Sequence, residues 1–132
     1  MESMGTVSQK ILIVEDEASM LNVLGDTFAT LGLQVFKAKD GTEGLASALK
    51  EHPDIILLDI LMPKMDGMEM MKKLRADGWG KDVRIIILTN VNPDSDTTIK
   101  AIVENQPSYY LIKSDVKLED IVEKVKEVLN IH

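Results

Sequence analysis

Ile55-Ile56-Leu57-Leu58-Asp59-Ile60-Leu61-Met62-Pro63 decides how this chain folds. Four apolar residues run without polar alternation into a carboxylate. A strand of that kind is buried on both faces, as strands of a parallel sheet are. Asp59 then stands where the strand leaves the core, and in open α/β sheets ligands bind at that carboxyl end. Met62-Pro63 forces an extended turn. Asp66-Gly67 follows, and Met68 to Ala76 has helical spacing. Alone, Asp59 reads more readily as a turn or capping residue. Its companions elsewhere in the chain decide between the readings.

Working outward, Lys10-Ile11-Leu12-Ile13-Val14 is a second all-apolar strand, and it ends in Glu15-Asp16-Glu17. Met20, Leu21, Val23, Leu24, Phe28 and Leu31 then recur at helical spacing, with Asp16 or Ser19 as the expected cap and Gly32 as the stop. Gln34 to Ala38 alternates and suits an outer strand. Asp40-Gly41 reads as a turn before a short helix through Leu45, Ala48 and Leu49, closed by His52-Pro53. Past the Asp59 segment, Asp77-Gly78-Trp79-Gly80 is a loop. Val83 to Thr89 is a buried strand ending in a hydroxyl, and Asn90 to Ser95 is a polar loop. A helix is expected over Asp96 to Glu104. Tyr109 to Lys113 is the last strand, ending in a lysine. Leu118, Ile121, Val122, Val125, Val128 and Leu129 form the apolar stripe of a final helix.

Five β–α repeats in strict alternation predict an α/β fold, a five-stranded parallel sheet with helices on both faces. Right-handed crossovers leave few topologies, and 2-1-3-4-5 is the common flavodoxin-like order. The chain of 132 residues fits one domain, here 10–132, after a polar tail over 1–9 expected to be disordered. The formal net charge of −7 works against direct nucleic-acid binding. Cysteine is absent, so no disulfide or thiolate metal site exists. No apolar run approaches the ~20 residues of a membrane span, and no signal peptide is evident. A cytoplasmic protein without membrane attachment is the expectation.

In the order 2-1-3-4-5, the first, third, fourth and fifth strands are neighbours. Their carboxyl ends carry Glu15-Asp16, Asp59, Thr89 and Lys113. Such a cluster suggests phosphoryl transfer onto Asp59, since carboxylates are covalent nucleophiles for phosphoryl groups. Three carboxylates in one cleft repel, by about 3 kcal/mol per pair at ~5 Å and an effective dielectric of ~20. A divalent cation removes that cost, and an all-oxygen ligand set suits Mg²⁺. Asp16 and Asp59 would bind it directly, Glu15 through water, and the Leu61 backbone carbonyl would add a protein ligand. Lys113 and the Thr89 hydroxyl would then engage phosphoryl oxygens.

From Lys10 to Leu129 the chain resembles the response-regulator receiver domains of two-component signalling. Glu15-Asp16 stands at the family's acidic pair. Asp59-Ile60-Leu61-Met62-Pro63-Lys64-Met65-Asp66-Gly67 follows its phosphoacceptor motif. Thr89 matches the switch hydroxyl and Tyr110 the switch aromatic, three residues before Lys113. The resemblance implies a histidine kinase or phosphotransfer protein as donor. It also implies an output protein engaged through helix four, strand five and helix five. Two positions depart from the pattern. Ser114 follows the lysine where the family usually has proline, so the Lys113–Ser114 bond is expected trans. Asn90 follows the hydroxyl where a small residue is usual; it could reach the phosphoryl group and hold it. Leu61 and Val91 stand two residues after Asp59 and Thr89, positions bordering the path of an attacking water. Being apolar, they predict slow loss of the phosphoryl group.

Other features read more plainly. Met62, Met65, Met68, Met70 and Met71 are expected as core filler with turn residues, and Trp79 as a half-buried loop anchor. Asp120 and Lys124 stand one helical turn apart. Neither His52 nor His132 is placed as a relay histidine. A stand-alone receiver and a receiver within a longer regulator both fit. An aspartate-nucleophile phosphatase would carry Asp-x-Asp on its first strand, and here Leu61 stands two after Asp59. A flavin site would need a phosphate loop where Glu15-Asp16-Glu17 stands.

Overall fold

A computed structural model describes residues 9–91 and 96–131, and for 96–99 the backbone alone. Most of the expected tail, positions 92–95 of the Pro93 loop and His132 lie outside the described residues. The elements alternate without exception. They are β1 (Lys10–Val14), α1 (Ala18–Thr30), β2 (Gln34–Ala38), α2 (Gly41–Glu51), β3 (Ile55–Leu58), α3 (Gly67–Ala76), β4 (Arg84–Thr89), α4 (Asp96–Glu104), β5 (Tyr109–Ile112) and α5 (Leu118–Leu129). The five strands form one sheet in the order β2-β1-β3-β4-β5, all neighbours parallel. The α/β reading and the strand order are both as expected.

The apolar runs explain themselves once the sheet is covered twice. Leu12, Val14, Ile56, Leu58, Ile85 and Ile87 face one core with Ala48, Met70, Met71 and Leu74. Ile11, Ile13, Ile55, Leu57, Ile86 and Leu88 face the other with Leu24, Phe28, Ile121, Val125 and Leu129. Successive side chains of a strand point to opposite faces, so a strand between two helical layers has no polar position to spare. Burying each such side chain contributes about 1.5–3 kcal/mol. The edge strands β2 and β5 are only partly buried.

Several local expectations are corrected. Neither Asp16 nor Ser19 caps α1. Glu17 holds that position with no side-chain cap, and its own N–H donates to the Glu15 carboxylate at 3.0 Å. Asp40-Gly41 is no free turn: Asp40 caps α2, accepting from the Glu43 N–H at 2.8 Å. Asp66 caps α3 through the Glu69 N–H at 2.9 Å, so that helix opens at Gly67, one residue before Met68. Strand β4 opens at Arg84 instead of Val83, and Lys113 begins a 3-10 turn instead of ending β5. Asp120 caps α5 by accepting from the Lys117 N–H at 2.8 Å, leaving Lys124 to pair with Glu127 at 3.6 Å. Of the methionines, Met70 and Met71 are fully buried, while Met62, Met65 and Met68 pack partly buried against the same core.

Candidate functional site

The site is built where the parallel ladder runs out. Val14 pairs with Leu58, and the Asp59 N–H still donates to the Val14 carbonyl at 3.0 Å. The Glu15 N–H likewise donates to the Ala38 carbonyl at 3.0 Å. Each strand thus delivers its acidic residue one step beyond the sheet, with the backbone held. Thr89 pairs with Ile112, which sets the hydroxyl strand beside the residue preceding Lys113. The turn after Asp59 is clamped as well. The Gly67 N–H donates to the Ile60 carbonyl at 2.9 Å. A Cβ at Gly67 would lie 2.2 Å from the Asp59 carbonyl oxygen, so only glycine fits there. The same loop docks sideways: the Gly41 N–H donates to the Met65 carbonyl at 3.0 Å, and Lys64 reaches Asp40 at 3.6 Å.

Glu15, Asp16 and Asp59 converge, each placing a carboxylate oxygen within 4.8 Å of the others. Glu15 is 2 % exposed and Asp59 6 %; Asp16 is exposed at the mouth. Lys113 bridges the two buried acids, with Nζ 2.6 Å from Glu15 Oε1 and 3.0 Å from Asp59 Oδ2. The cleft expected to be uncompensated therefore carries its own cation, although three carboxylates still outnumber one ammonium. Burial pushes the Glu15 carboxyl above its ordinary pKa, against the hydrogen bonds from Lys113 and the Glu17 N–H. Burial alone would depress Lys113; the bonds to Glu15 and Asp59 outweigh it and hold the ammonium above its ordinary value. The donor set is entirely oxygen and fits a hard divalent cation.

Thr89 is fully buried, and its Oγ1 accepts from the Val91 N–H at 3.4 Å. Tyr110 is half-buried, and its hydroxyl donates to the Val91 carbonyl. Burial, with the Asp59 charge, raises its pKa. Both residues thus attach to Val91, one through its N–H and one through its carbonyl. The Leu61 side chain is 65 % exposed beside the site. Asn90 bonds to the backbone of Ser114, its Oδ1 accepting from that N–H at 3.1 Å. No peptide among the described residues is cis, so Lys113–Ser114 is trans as expected.

Two structural residues escaped the sequence reading. Arg75 donates to four carbonyls, those of Gly80, Val83, Asn105 and Gln106, at 2.7–3.0 Å. Nothing in a lone arginine on a helix announces that. Trp79 is half-buried as expected, but its partner was not foreseen. The His52 ring stacks on it, with centroids 4.4 Å apart and planes 9° off parallel. Among the described residues, no helix is long and apolar enough to cross a membrane.

Known proteins share this fold. A receiver domain protein (CheY-like) from Methanospirillum hungatei superposes with a TM-score of 0.84 at 27 % identity, covering 94 % of this chain and 95 % of that one. The response regulator TrrA of Thermotoga maritima, solved in complex with Mg²⁺-BeF, superposes with a TM-score of 0.76 at 30 % identity, over 91 % and 98 %. A probable transcriptional regulator, ycf27, of Porphyridium aerugineum is 40 % identical over 88 residues, 67 % of this chain and 35 % of that protein. Sporulation initiation phosphotransferase F of Bacillus subtilis is 37 % identical over 83 residues, 63 % of this chain and 65 % of that protein. The chain thus spans about a third of the ycf27 relative's length. Residues 11–126 match the response regulator receiver domain. With that match over most of its length and the same strand order, the chain belongs to the response regulator receiver domains of two-component signalling.

Proposed function

We propose that Asp59 accepts a phosphoryl group from a phosphohistidine on a histidine kinase or phosphotransfer protein. The observation that carries this is Lys113, which bridges Asp59 and Glu15 in a buried cleft that Asp16 completes. Asp59 Oδ attacks phosphorus in line, the P–N bond to the donor imidazole breaks as the P–O bond forms, and the imidazole leaves as the neutral ring after gaining a proton. Mg²⁺ held by Asp16, Asp59, Glu15 through water and the Leu61 carbonyl would supply charge neutralisation for the incoming phosphoryl oxygens.

The residues of the chain do the rest. Lys113, already oriented by two carboxylates, exchanges a carboxylate contact for a phosphoryl oxygen. The Thr89 hydroxyl accepts from Val91, so its own hydrogen is available to a phosphoryl oxygen. Movement of Thr89 toward that oxygen displaces Val91, and with it the carbonyl that holds Tyr110. The switch then reads out through α4, β5 and α5 to an output protein. Val103 offers an exposed apolar contact on that side, 66 % accessible. In this reading the module is a cytoplasmic signalling protein that assists its own phosphorylation and dephosphorylation, spans 10–132, and neither binds nucleic acid directly nor associates with a membrane. The same chemistry serves a receiver within a longer regulator, the arrangement that the names of the transcriptional relatives suggest.

The test is labelling with radioactive phosphoramidate in Mg²⁺. Wild type should gain an alkali-labile acyl phosphate, and Asp59→Asn should gain none. Equal labelling of Asp59→Asn would remove Asp59 as the acceptor.

A further inference from the structure

The two departures from the family pattern meet each other in space. Asn90 follows the buried Thr89, and Ser114 follows Lys113. Asn90 Oδ1 accepts from the Ser114 N–H at 3.1 Å. Because a backbone N–H can only donate, the atom facing it is the amide oxygen, which settles the side-chain orientation. A proline at 114 would have no hydrogen to give. A small residue at 90 would have no acceptor to reach it. Each of the two residues therefore supplies what the bond needs from the other.

The position of this bond gives it a consequence. Lys113 begins a 3-10 turn that carries the chain off the end of β5. β5 is an edge strand, paired on one side only, to β4. The last backbone pairing before the turn is Thr89 with Ile112. Beyond it, Lys113 projects toward Glu15 and Asp59 from a segment that no further strand supports. The Asn90 contact is a cross-connection beyond the ladder, one residue past its end on β4 and two past it on β5.

We propose that Asn90 and Ser114 form a clamp that positions Lys113 for the phosphoryl group, and ties its turn to the residue next to Thr89. The inference rests on Asp59 being the phosphoacceptor. Asn90 is a positioning residue: it acts through the backbone of Ser114 on the placement of the lysine. Because the same bond links the loops after β4 and β5, displacement of Thr89 is passed to the start of α5 as well as to Tyr110.

The test uses phosphorylation by phosphoramidate in Mg²⁺, with melting temperature as the control for folding. Asn90→Ala should slow Asp59 labelling about three- to tenfold, the range set by one neutral hydrogen bond, with the melting temperature lowered by no more than a few degrees. In a Lys113→Met background the same substitution should change the rate by less than about twofold, because the lysine through which it acts is gone. Exchange of the Ser114 amide hydrogen should accelerate in Asn90→Ala, whether or not phosphate is present. Ser114→Pro removes the donor and should slow labelling as Asn90→Ala does, with the double variant no slower than the slower single. Normal labelling of Asn90→Ala, or an equal slowing with and without Lys113, overturns the clamp. Absence of Asp59 labelling in wild type overturns instead the reading on which the clamp rests.

Discussion

The two ends of this sheet are built on opposite terms. At the amino end, loops are fastened by backbone groups. Lys10 and Asp54 exchange two hydrogen bonds at 2.7 and 2.9 Å, and the Lys10 ammonium reaches the Glu51 carbonyl at 3.0 Å. The Ser108 N–H donates to the Ile85 carbonyl at 2.7 Å. Arg75 gathers four carbonyls, and His52 stacks on Trp79. At the carboxyl end, three carboxylates face one lysine. The first end is closed largely by its own hydrogen bonds, with the buried Gln9 Oε1 left without a partner. The second carries more negative charge than its one lysine offsets.

That difference can be broken most forcefully at Lys113. Lys113→Met leaves Glu15 and Asp59 buried with no counter-charge, and should cost about 3 kcal/mol of unfolding free energy in EDTA. Saturating Mg²⁺ should return most of that loss, since a cation bound only to the folded state adds stability by mass action. Denaturant titrations of wild type and variant, with and without Mg²⁺, measure both. A loss that Mg²⁺ leaves untouched would mean that Lys113 acts as packing.

Arg75→Met is the counterpart at the other end. It should cost about 2 kcal/mol, since four carbonyls lose a shared donor and only some are left open to water. The cost should be the same in Mg²⁺ and in EDTA. Dependence on Mg²⁺ would join the two ends that the comparison separates.

Asp59→Asn reads the balance itself. At an effective dielectric of ~20, an ammonium at 3.0 Å attracts Asp59 by about 5 kcal/mol, and two carboxylates within 4.8 Å each repel it by about 3 or more. These nearly cancel, so desolvation decides the sign. The variant should be about 1 kcal/mol more stable than wild type in EDTA and should gain little from Mg²⁺. Thermal melts in both buffers report it, and a less stable variant in EDTA would show that the lysine dominates.

Phosphoryl lifetime tests the mouth of the same end. If Asp59 carries the phosphoryl group as proposed, Leu61→Asn and Val91→Glu each put a polar side chain two residues after Asp59 or Thr89, and each should speed loss of labelled phosphate about fivefold, or about 1 kcal/mol in the barrier. If neither accelerates the loss, the apolar side chains do not set the lifetime. Val91 also carries the contacts to Thr89 and Tyr110, so Leu61→Asn is the cleaner of the two.

The smallest effect concerns Asp40, which supports the loop after Asp59 from the side. The Glu43 N–H, and then Lys64, hold its carboxyl below the ordinary value of 3.8. A depressed folded pKa contributes stability that is present above the ordinary value and lost as pH falls through the folded one. Wild type should therefore lose a small increment below about pH 4 that Asp40→Asn, still able to cap α2, does not lose. Parallel acid titrations of the two would show it; identical curves would mean that the Glu43 N–H and Lys64 together do not favour the charged carboxylate.

Strand order, the convergence of Glu15, Asp16, Asp59 and Lys113, and most helix limits were legible in the chain. Each rests on local period or on what stands at a strand's end. The caps were less so. Glu15 takes the Glu17 N–H because Glu15 is already turned toward Lys113, a residue 98 positions away. Asp120 caps its own helix, so Lys124 turns to Glu127 and lies over the Tyr109 ring at 4.4 Å. Spacing identifies which partners are within reach; competition among them selects one.

The sequence by itself determined the alternation of elements, the double-sided sheet and the list of residues at its carboxyl end. Hydrophobic period and composition are local properties, and burial demands them of any chain with this fold. Only the tertiary structure decided which charges meet. It set Lys113 between two acids, closed Arg75 on four carbonyls and joined Asn90 to Ser114. The strands that bring those residues together are far apart in the chain. Hydrogen-bond and ion-pair geometry falls off within a few tenths of an ångström to a few ångström, a precision that no pattern of residue types contains.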